Sequence, residues 1–187
     1  QFGIPEDRIV LLNVSRVAHE KNIGLLLNML KLAVSRNPKL CLVIAGEGPA
    51  RKACMEQAQQ LGLNDHIYFV GYLDRSTQLI DCYHSADFFV FSSKTETQGL
   101  VLLEAMAAGT PGVSVAAMGT RDILIDCSAA QIVEDDAQAF ADTLIEIVND
   151  PQRLKTLRDN CASAVQAWDS TTMASKMLGF YRGVLAS

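Results

Sequence analysis

The chain has 187 residues, of which 49% are apolar and 20% charged, and its formal net charge is -5. These proportions are typical of a folded globular protein and exclude a disordered, collagen-like or coiled-coil chain. The sequence has no apolar run long enough to span a bilayer, no signal-peptide pattern and no C-x-x-C pair among its five cysteines. The acidic balance argues against nonspecific binding of nucleic acid. We therefore expect a protein of the reducing cytoplasm, either one domain or one half of a two-domain enzyme.

Six short runs rich in Val, Ile, Leu and Phe predict β-strands between residues 9 and 133. Most of these runs are apolar at every position, as in parallel strands that are covered by helices on both faces. The predicted strands span residues 9–14, 41–45, 67–70, 88–91, 112–115 and 131–133.

Longer amphipathic stretches between the strands predict helices, and this alternation is typical of βα units around a parallel sheet. No strand is predicted after residue 136, where three helical stretches follow one another. The predicted fold class is therefore α/β, a Rossmann-like doubly wound parallel sheet of six strands with a helical C-terminal tail. The predicted helices span residues 23–35, 50–61, 77–84, 99–108, 121–125, 137–148, 151–167 and 171–185.

The loop after the first predicted strand carries two cations. In a sheet of this kind ligands bind beyond the carboxyl ends of the strands. Arg16 and Lys21 lie in that position and precede a helix N-terminus, an arrangement that can hold a phosphate or diphosphate. The alternative is that both side chains are solvated surface charges.

The loop after the second predicted strand contains a pair of glycines. Gly46 and Gly48 partly match the dinucleotide fingerprint G-x-G-x-x-G, with Arg51 where the third glycine belongs. One interpretation is a site for NAD. The other, which the missing glycine favours, is that the pair turns the chain out of a strand.

The predicted helix at residues 99–108 contains one charged residue, Glu104, among apolar and small side chains. A helix that is apolar on every side is expected to be buried. Because an ionised carboxylate is costly to bury, Glu104 is expected to have a dedicated partner, and its two oxygens suit the vicinal hydroxyls of a ribose. Pairing with a core arginine is the structural alternative.

A second glutamate, Glu96, lies in the loop just before this helix. The backbone N–H groups of residues 98–100 follow it, at the positive end of the helix dipole. A glycine at position 99 removes the side chain that would keep a phosphate away from the backbone. The alternative is that Thr95 or Thr97 caps the helix.

Glu96 and Glu104 are separated by seven residues within the segment TETQGLVLLEAMAAGTP. This segment resembles the signature of the retaining group 1 (family 4) glycosyltransferases, which have the GT-B fold. Further blocks resemble the same family in order and spacing, so that the resemblance covers almost the whole chain and corresponds to the C-terminal, donor-binding half of such an enzyme. These blocks are residues 15–16, 20–22, 43–49, 69–72 and 85–92.

The resemblance implies a role for each matching residue. In the family, the residues that match Arg16 and Lys21 bind the donor diphosphate. The glutamate that matches Glu104 accepts the ribose hydroxyls, and the one that matches Glu96 contacts hydroxyls of the transferred sugar near the reacting carbon. The residues expected to act in catalysis are Glu96, Arg16 and Lys21. Those expected to bind substrate, with phosphate at 98–100 and the base near 72–73, are Arg16, Lys21, Tyr72, Leu73, Glu96, Thr97, Gln98, Gly99, Leu100 and Glu104.

The resemblance also implies a reaction and its partners. The family transfers a sugar from a nucleotide-sugar donor, here a UDP- or GDP-sugar, to an acceptor with retention of anomeric configuration, and no metal or other cofactor is required. Residues 1–187 are interpreted as the donor domain, including C-terminal helices from about residue 136. The expected partner is the N-terminal acceptor domain of the same enzyme, absent from this chain, so the fragment alone is expected to be inactive. The full enzyme is expected to be cytoplasmic, with peripheral contact to the inner face of the membrane through that domain and no nucleic-acid partner.

Several residues depart from the family pattern. Ser15 and Thr97 each replace a glycine that is usual in the family, and residues 126–131 lack two glycines of a turn. The sequence Thr-Glu-Thr-Gln-Gly resembles members that glycosylate lipids with UDP-sugars.

Two other classes of function stay open. One is an NAD-dependent oxidoreductase domain, with Asp74 as its acidic residue, and the other is a noncatalytic nucleotide-binding or interaction domain.

Overall fold

A parallel β-sheet of six strands runs through the centre of the computed structural model, which describes residues 2–185. The strand order is β3-β2-β1-β4-β5-β6, and every neighbouring pair is parallel. This arrangement confirms the doubly wound sheet predicted from the sequence. The strands are β1 Ile9–Val14, β2 Leu40–Ala45, β3 Ile67–Gly71, β4 Phe88–Phe91, β5 Gly112–Val115 and β6 Ala130–Val133.

Eight α-helices connect and follow the strands within residues 2–185. Each predicted helix and strand is confirmed, with its ends within two residues of the prediction. One turn of 3-10 helix at His19–Lys21, which the sequence pattern does not predict, leads into α1. The helices are α1 Ile23–Val34, α2 Arg51–Gln60, α3 Gln78–His84, α4 Leu100–Ala107, α5 Gly119–Leu124, α6 Ala137–Val148, α7 Pro151–Gln166 and α8 Ser170–Leu185.

Neighbouring residues of strand β1, in the middle of the sheet, face two separate hydrophobic layers. Leu11 packs in the layer that includes residues of α1 and α6, whereas Leu12 packs in the layer that includes residues of α3 and α4. Both leucines are fully buried. The strand is therefore covered on both faces, which is why its sequence is apolar rather than alternating.

The strand order reverses at the boundary between β1 and β4. Strands β2 and β3 lie on one side of β1, and β4, β5 and β6 lie on the other. The loops that leave the carboxyl ends of β1 and β4 therefore diverge to opposite sides and open a crevice between them. These two loops are the ones that carry Arg16 with Lys21 and Glu96, respectively.

Helix α4 is less buried than its composition predicts. Leu102 and Ala105 are fully buried, but Leu100 is 53% exposed and the Glu104 side chain is 32% exposed. The helix packs against α3, α7 and β5, while Val101 on another of its faces lines an open cavity. The expectation of a helix buried on every side was wrong because composition does not show which face has a neighbouring element.

Helix α8 confirms the predicted helical tail and lies on the surface. None of its described residues is buried. Across residues 2–185, every helix is too short or too polar to cross a membrane.

Candidate functional site

A cavity of about 360 Å³ opens beyond the carboxyl ends of β1, β2 and β3. Its volume lies within the range of about 300–1,000 Å³ that is usual for small-molecule sites. It brings three of the predicted site residues together, Arg16, Tyr72 and Leu73, and adds Arg75, which the sequence analysis did not select. A larger cavity of about 570 Å³ lies along α2 and contains none of the predicted site residues.

Arg16 lies on the wall of this cavity with its side chain exposed. Its guanidinium makes no hydrogen bond or ion pair with any other residue in the range 2–185. A guanidinium presents donors in a planar fork that matches the oxygens of a phosphate or carboxylate. Arg16 is therefore available to an anionic ligand without first breaking an internal contact.

Lys21 and Glu96 form an ion pair across the crevice between β1 and β4. Lys21 Nζ lies 2.7 Å from Glu96 Oε2, and the two side chains are only 17% and 23% exposed. The Ser92 hydroxyl, which is fully buried, joins the same two loops because its Oγ lies 3.1 Å from the Lys21 carbonyl oxygen and 3.0 Å from that of Asn22. Since an ammonium group has three N–H donors, Lys21 keeps two for another acceptor.

Glu104 has the dedicated partners that its burial was expected to require. Its Oε1 lies 2.5 Å from Arg75 Nη2, and its Oε2 accepts a hydrogen bond of 2.9 Å from the Tyr83 hydroxyl. The alternative of a core arginine is confirmed in that Glu104 pairs with an arginine, but it is wrong about the core, because the Arg75 side chain is 66% exposed and the buried partner is Tyr83. The sequence signal for Tyr83 was a tyrosine on the apolar face of a helix, which by itself indicates only packing.

The environment of Tyr83 keeps its hydroxyl protonated. Burial of the ring, and then the negative charge of Glu104, raise the pKa of Tyr83 well above its usual value. A tyrosine hydroxyl is protonated at neutral pH even at its usual pKa, and the raised pKa extends this to more alkaline pH, so the hydroxyl donates and Glu104 accepts. The contact consumes one of the lone-pair positions of the carboxylate and leaves others open.

The loop before α4 presents unpaired backbone donors. The N–H groups of Gln98, Gly99 and Leu100 make no hydrogen bond to any part of the chain that the structure describes. Gly99 is the N-cap residue with φ of 66°, and no side chain among residues 2–185 caps the helix, so capping by Thr95 or Thr97 was wrong. A β-carbon on Gly99 would also meet Ile123 Cδ1 at 2.8 Å.

Gly119 is a site residue that sequence analysis missed. A β-carbon there would lie 2.1 Å from the Thr97 carbonyl oxygen, and the Gly119 N–H donates to the Glu96 carbonyl at 2.9 Å. The preceding residue, Met118, has a φ of 49°, a backbone conformation that residues other than glycine rarely adopt. The start of α5 is therefore pressed against the loop that carries Glu96. The available signal was its position in the βα loop of the neighbouring strand.

The glycine pair after β2 has a packing role. A β-carbon on Gly46 would lie 1.9 Å from the Ser15 carbonyl oxygen, and one on Gly48 would lie 2.3 Å from that of Val17. The Val17 N–H also donates to the Glu47 carbonyl at 3.0 Å. These glycines let two loops of the same chain pack backbone to backbone, which removes the observation on which the NAD interpretation depended.

The described residues contain no group of three or more His, Cys, Asp or Glu side chains placed to hold a metal ion. That the reaction needs neither metal nor cofactor stays a prediction.

The chain matches a known family along most of its length. A model of the glycosyl transferases group 1 matches residues 1–167. The chain belongs to the group 1 glycosyltransferases. The family stated from the motifs is thereby confirmed, and the placement of the chain as the C-terminal, donor-binding half stays a prediction.

Two curated relatives illustrate the match. Alpha-monoglucosyldiacylglycerol synthase from Streptococcus pneumoniae is 39% identical over 114 residues, which are 61% of this chain and 26% of that protein. D-inositol 3-phosphate glycosyltransferase 2 from Catenulispora acidiphila is 31% identical over 186 residues, which are 92% of this chain and 43% of that protein. The chain thus spans less than half the length of these relatives.

Solved structures of similar fold include HepE from Anabaena in complex with UDP and glucose. It matches with a TM-score of 0.81 at 22% identity, covering 95% of this chain and 49% of that one. At this level of identity the likeness establishes the fold.

Proposed function

We propose that this chain is the donor-binding half of a retaining glycosyltransferase, which transfers a sugar from a nucleoside-diphosphate sugar to an acceptor. The observation that carries the proposal is the convergence of open donors at the crevice between β1 and β4. The guanidinium of Arg16, two N–H donors of Lys21 and the backbone N–H groups of residues 98–100 lie on the loops that border it. We call these groups the phosphate side of the site.

The phosphate side is suited to the departure of a diphosphate. When the bond between the sugar and the diphosphate breaks, negative charge grows on the phosphate oxygens. Donors already directed at that position stabilise the transition state without having to reorganise. Arg16 supplies a planar cation, Lys21 a second one, and the N-terminus of α4 adds the positive end of its dipole.

The cavity next to Glu104 is suited to a nucleoside. We call Glu104 and its two partners, Tyr83 and Arg75, the ribose side of the site. Tyr72 is 74% exposed at the mouth of the cavity, whereas Leu73 is 6% exposed. An exposed ring beside a buried leucine offers an apolar surface for a base. The open lone pairs of Glu104 can accept the ribose hydroxyls. The UDP bound by HepE makes UDP the first nucleotide to test.

Glu96 is the residue proposed to face the transferred sugar. Lys21 occupies its Oε2 at 2.7 Å, which leaves Oε1 for a sugar hydroxyl. Its ion pair with Lys21 would couple recognition of the sugar to the cation that holds the diphosphate. Thr97 follows it in the same loop and belongs to the proposed substrate contacts.

The remaining parts of the proposal concern the full enzyme. Residues 1–187 would serve as the donor domain with the three C-terminal helices included, and an N-terminal acceptor domain would complete the active site. The chain alone is expected to bind the donor and to transfer nothing. A cytoplasmic location, peripheral contact with the membrane through the acceptor domain, and activity without a metal are parts of the same proposal.

Calorimetry with UDP, GDP and uridine tests the proposed site. We expect the chain to bind one of the two diphosphates. If that diphosphate is UDP, uridine should bind about tenfold more weakly than UDP, because the phosphate side contributes charge-assisted hydrogen bonds. Arg16→Ala should lower the affinity for the diphosphate about tenfold and leave the affinity for the nucleoside unchanged. Arg36→Ala is the matched control, since Arg36, which lies just after α1, pairs with Asp142 on α6.

Equal affinity for nucleoside and diphosphate would contradict the assignment of Arg16 and Lys21. A fluorescence titration with NADH examines the oxidoreductase class, and saturable binding there would contradict the proposal. The noncatalytic class would be favoured if the full-length protein neither bound nor hydrolysed any UDP- or GDP-sugar.

A further inference from the structure

Both carboxylate oxygens of Glu104 have hydrogen-bond partners, and the two partners differ widely in exposure. Tyr83 on α3 is 3% exposed and bonds Oε2, whereas the Arg75 side chain is 66% exposed and bonds Oε1. A buried phenol has one available rotamer in a packed core, while an exposed arginine side chain retains many. The orientation of the carboxylate is therefore set mainly by Tyr83.

Tyr83 is itself fixed by contacts on several sides. Its ring packs against Phe89, with 5.9 Å between ring centroids. Its carbonyl oxygen accepts a 2.6 Å hydrogen bond from the hydroxyl of Thr110, which is 2% exposed. The Thr110 N–H in turn donates to the Ala105 carbonyl at 3.0 Å, on the helix that carries Glu104. The phenol and the carboxylate are thus tied to the same rigid unit of α3 and α4.

We propose that Tyr83 is a positioning residue that orients Glu104 for the two hydroxyls of a ribose, so that the site selects ribonucleotides over deoxyribonucleotides. This inference rests on the proposed function. Tyr83 takes one lone-pair position of Oε2 and Arg75 one of Oε1, which leaves each oxygen one position for a neighbouring hydroxyl. Without the phenol, the carboxylate is free to rotate toward Arg75, and the paired acceptor geometry is lost.

The test compares each ribonucleotide with its 2′-deoxy form. Calorimetry is run on the wild-type chain with UDP against 2′-deoxyUDP and with GDP against 2′-deoxyGDP. A hydrogen bond to a charged group predicts a ribose preference of about ten- to hundredfold in the wild type. Tyr83→Phe removes only the hydroxyl, and we expect it to lower this preference by roughly tenfold.

Two further variants separate positioning from a general effect on folding. Tyr68→Phe removes a hydroxyl from β3 that has no hydrogen-bond partner within residues 2–185, and it should leave the preference unchanged. In the Glu104→Ala background, where the Tyr83 hydroxyl has no side-chain acceptor at position 104, Tyr83→Phe should no longer alter the preference, because Tyr83 acts through Glu104. Thermal unfolding of each variant verifies that the compared proteins are folded.

The outcomes distinguish this inference from the proposal beneath it. If the wild type binds neither UDP nor GDP, the proposed function fails, and this inference fails with it. If the wild type prefers the ribonucleotide and folded Tyr83→Phe keeps the same preference, the positioning role is overturned while the proposed function stands. If Tyr83→Phe still lowers the preference by the same factor in the Glu104→Ala background, the positioning role is also overturned.

Discussion

The phosphate side and the ribose side of the crevice are built by different means. On the phosphate side, loops are pressed together backbone to backbone at Gly46, Gly48 and Gly119, where a methyl group would come within 2.3 Å of a carbonyl oxygen. On the ribose side, side-chain hydrogen bonds from Tyr83 and Arg75 hold Glu104. One side is fixed by the absence of side chains, and the other by their contacts.

This difference separates two tasks in binding. Close backbone packing holds the loops in place while it leaves Arg16 and the N–H groups of residues 98–100 without partners among residues 2–185. Those donors are ready for an anion, so the phosphate side should supply affinity. Glu104 already has two partners and offers only its remaining lone pairs. The ribose side should therefore contribute selectivity more than affinity.

The largest expected effect is on the backbone packing of the phosphate side. Gly46→Ala places a methyl group 1.9 Å from the Ser15 carbonyl oxygen at φ of 138°. We expect the free energy of unfolding in urea to fall by about 3 kcal/mol, because the backbone must move or the loop must detach. Gly109→Ala is the control, since its φ is 80° but, apart from its two neighbours in the chain, no atom of residues 2–185 lies within 4 Å of the added carbon. Gly109→Ala should lower the free energy of unfolding by about 1 kcal/mol. If both variants lowered it equally, close packing would not be the cause of the destabilisation at Gly46.

The second effect is on the charge balance within the phosphate side. Lys21→Met removes a cation and leaves Glu96 as an unpaired negative charge beside the proposed position of the diphosphate. We expect UDP affinity, measured by calorimetry, to fall about a hundredfold, and Glu96→Gln in the same chain to recover about tenfold of that loss.

The matched control for Lys21 is Lys52→Met on α2, whose side chain is 90% exposed, and it should leave UDP affinity unchanged. If Lys21→Met and the double variant bind UDP equally, the ion pair plays no part in anion recognition.

The smallest effect concerns protonation on the ribose side. Burial and the charge of Glu104 raise the pKa of Tyr83 above its usual value of 10.0. Because the unfolded chain loses this proton first, the free energy of unfolding is unaffected below about pH 10 and falls as the pH rises further. In an absorbance titration of phenolate, wild type and Tyr83→Phe should release equal numbers of phenolic protons up to about pH 10.5. One proton fewer in the variant would contradict this prediction.

Local sequence patterns were enough to predict the helices and strands. They also identified those candidate site residues that differ chemically from their neighbours in the sequence. Glu104 stood out as one charge in an apolar helix, and Arg16 and Lys21 as two cations after a strand. Tyr83 did not stand out, because a tyrosine among apolar residues looks like any core residue until its hydroxyl has a partner. Gly119 was missed since its constraint comes from Thr97, which is distant in sequence.

The sequence by itself determined the alternation of strands and helices, the family and the set of polar residues in the βα loops, because these depend on local periodicity and on short motifs. Only the tertiary structure decided which of those residues meet. It paired Lys21 with Glu96, left Arg16 open and gave Glu104 the partners Tyr83 and Arg75. Such contacts join segments that are far apart in the chain, and their geometry follows from the order and register of the strands rather than from any local pattern.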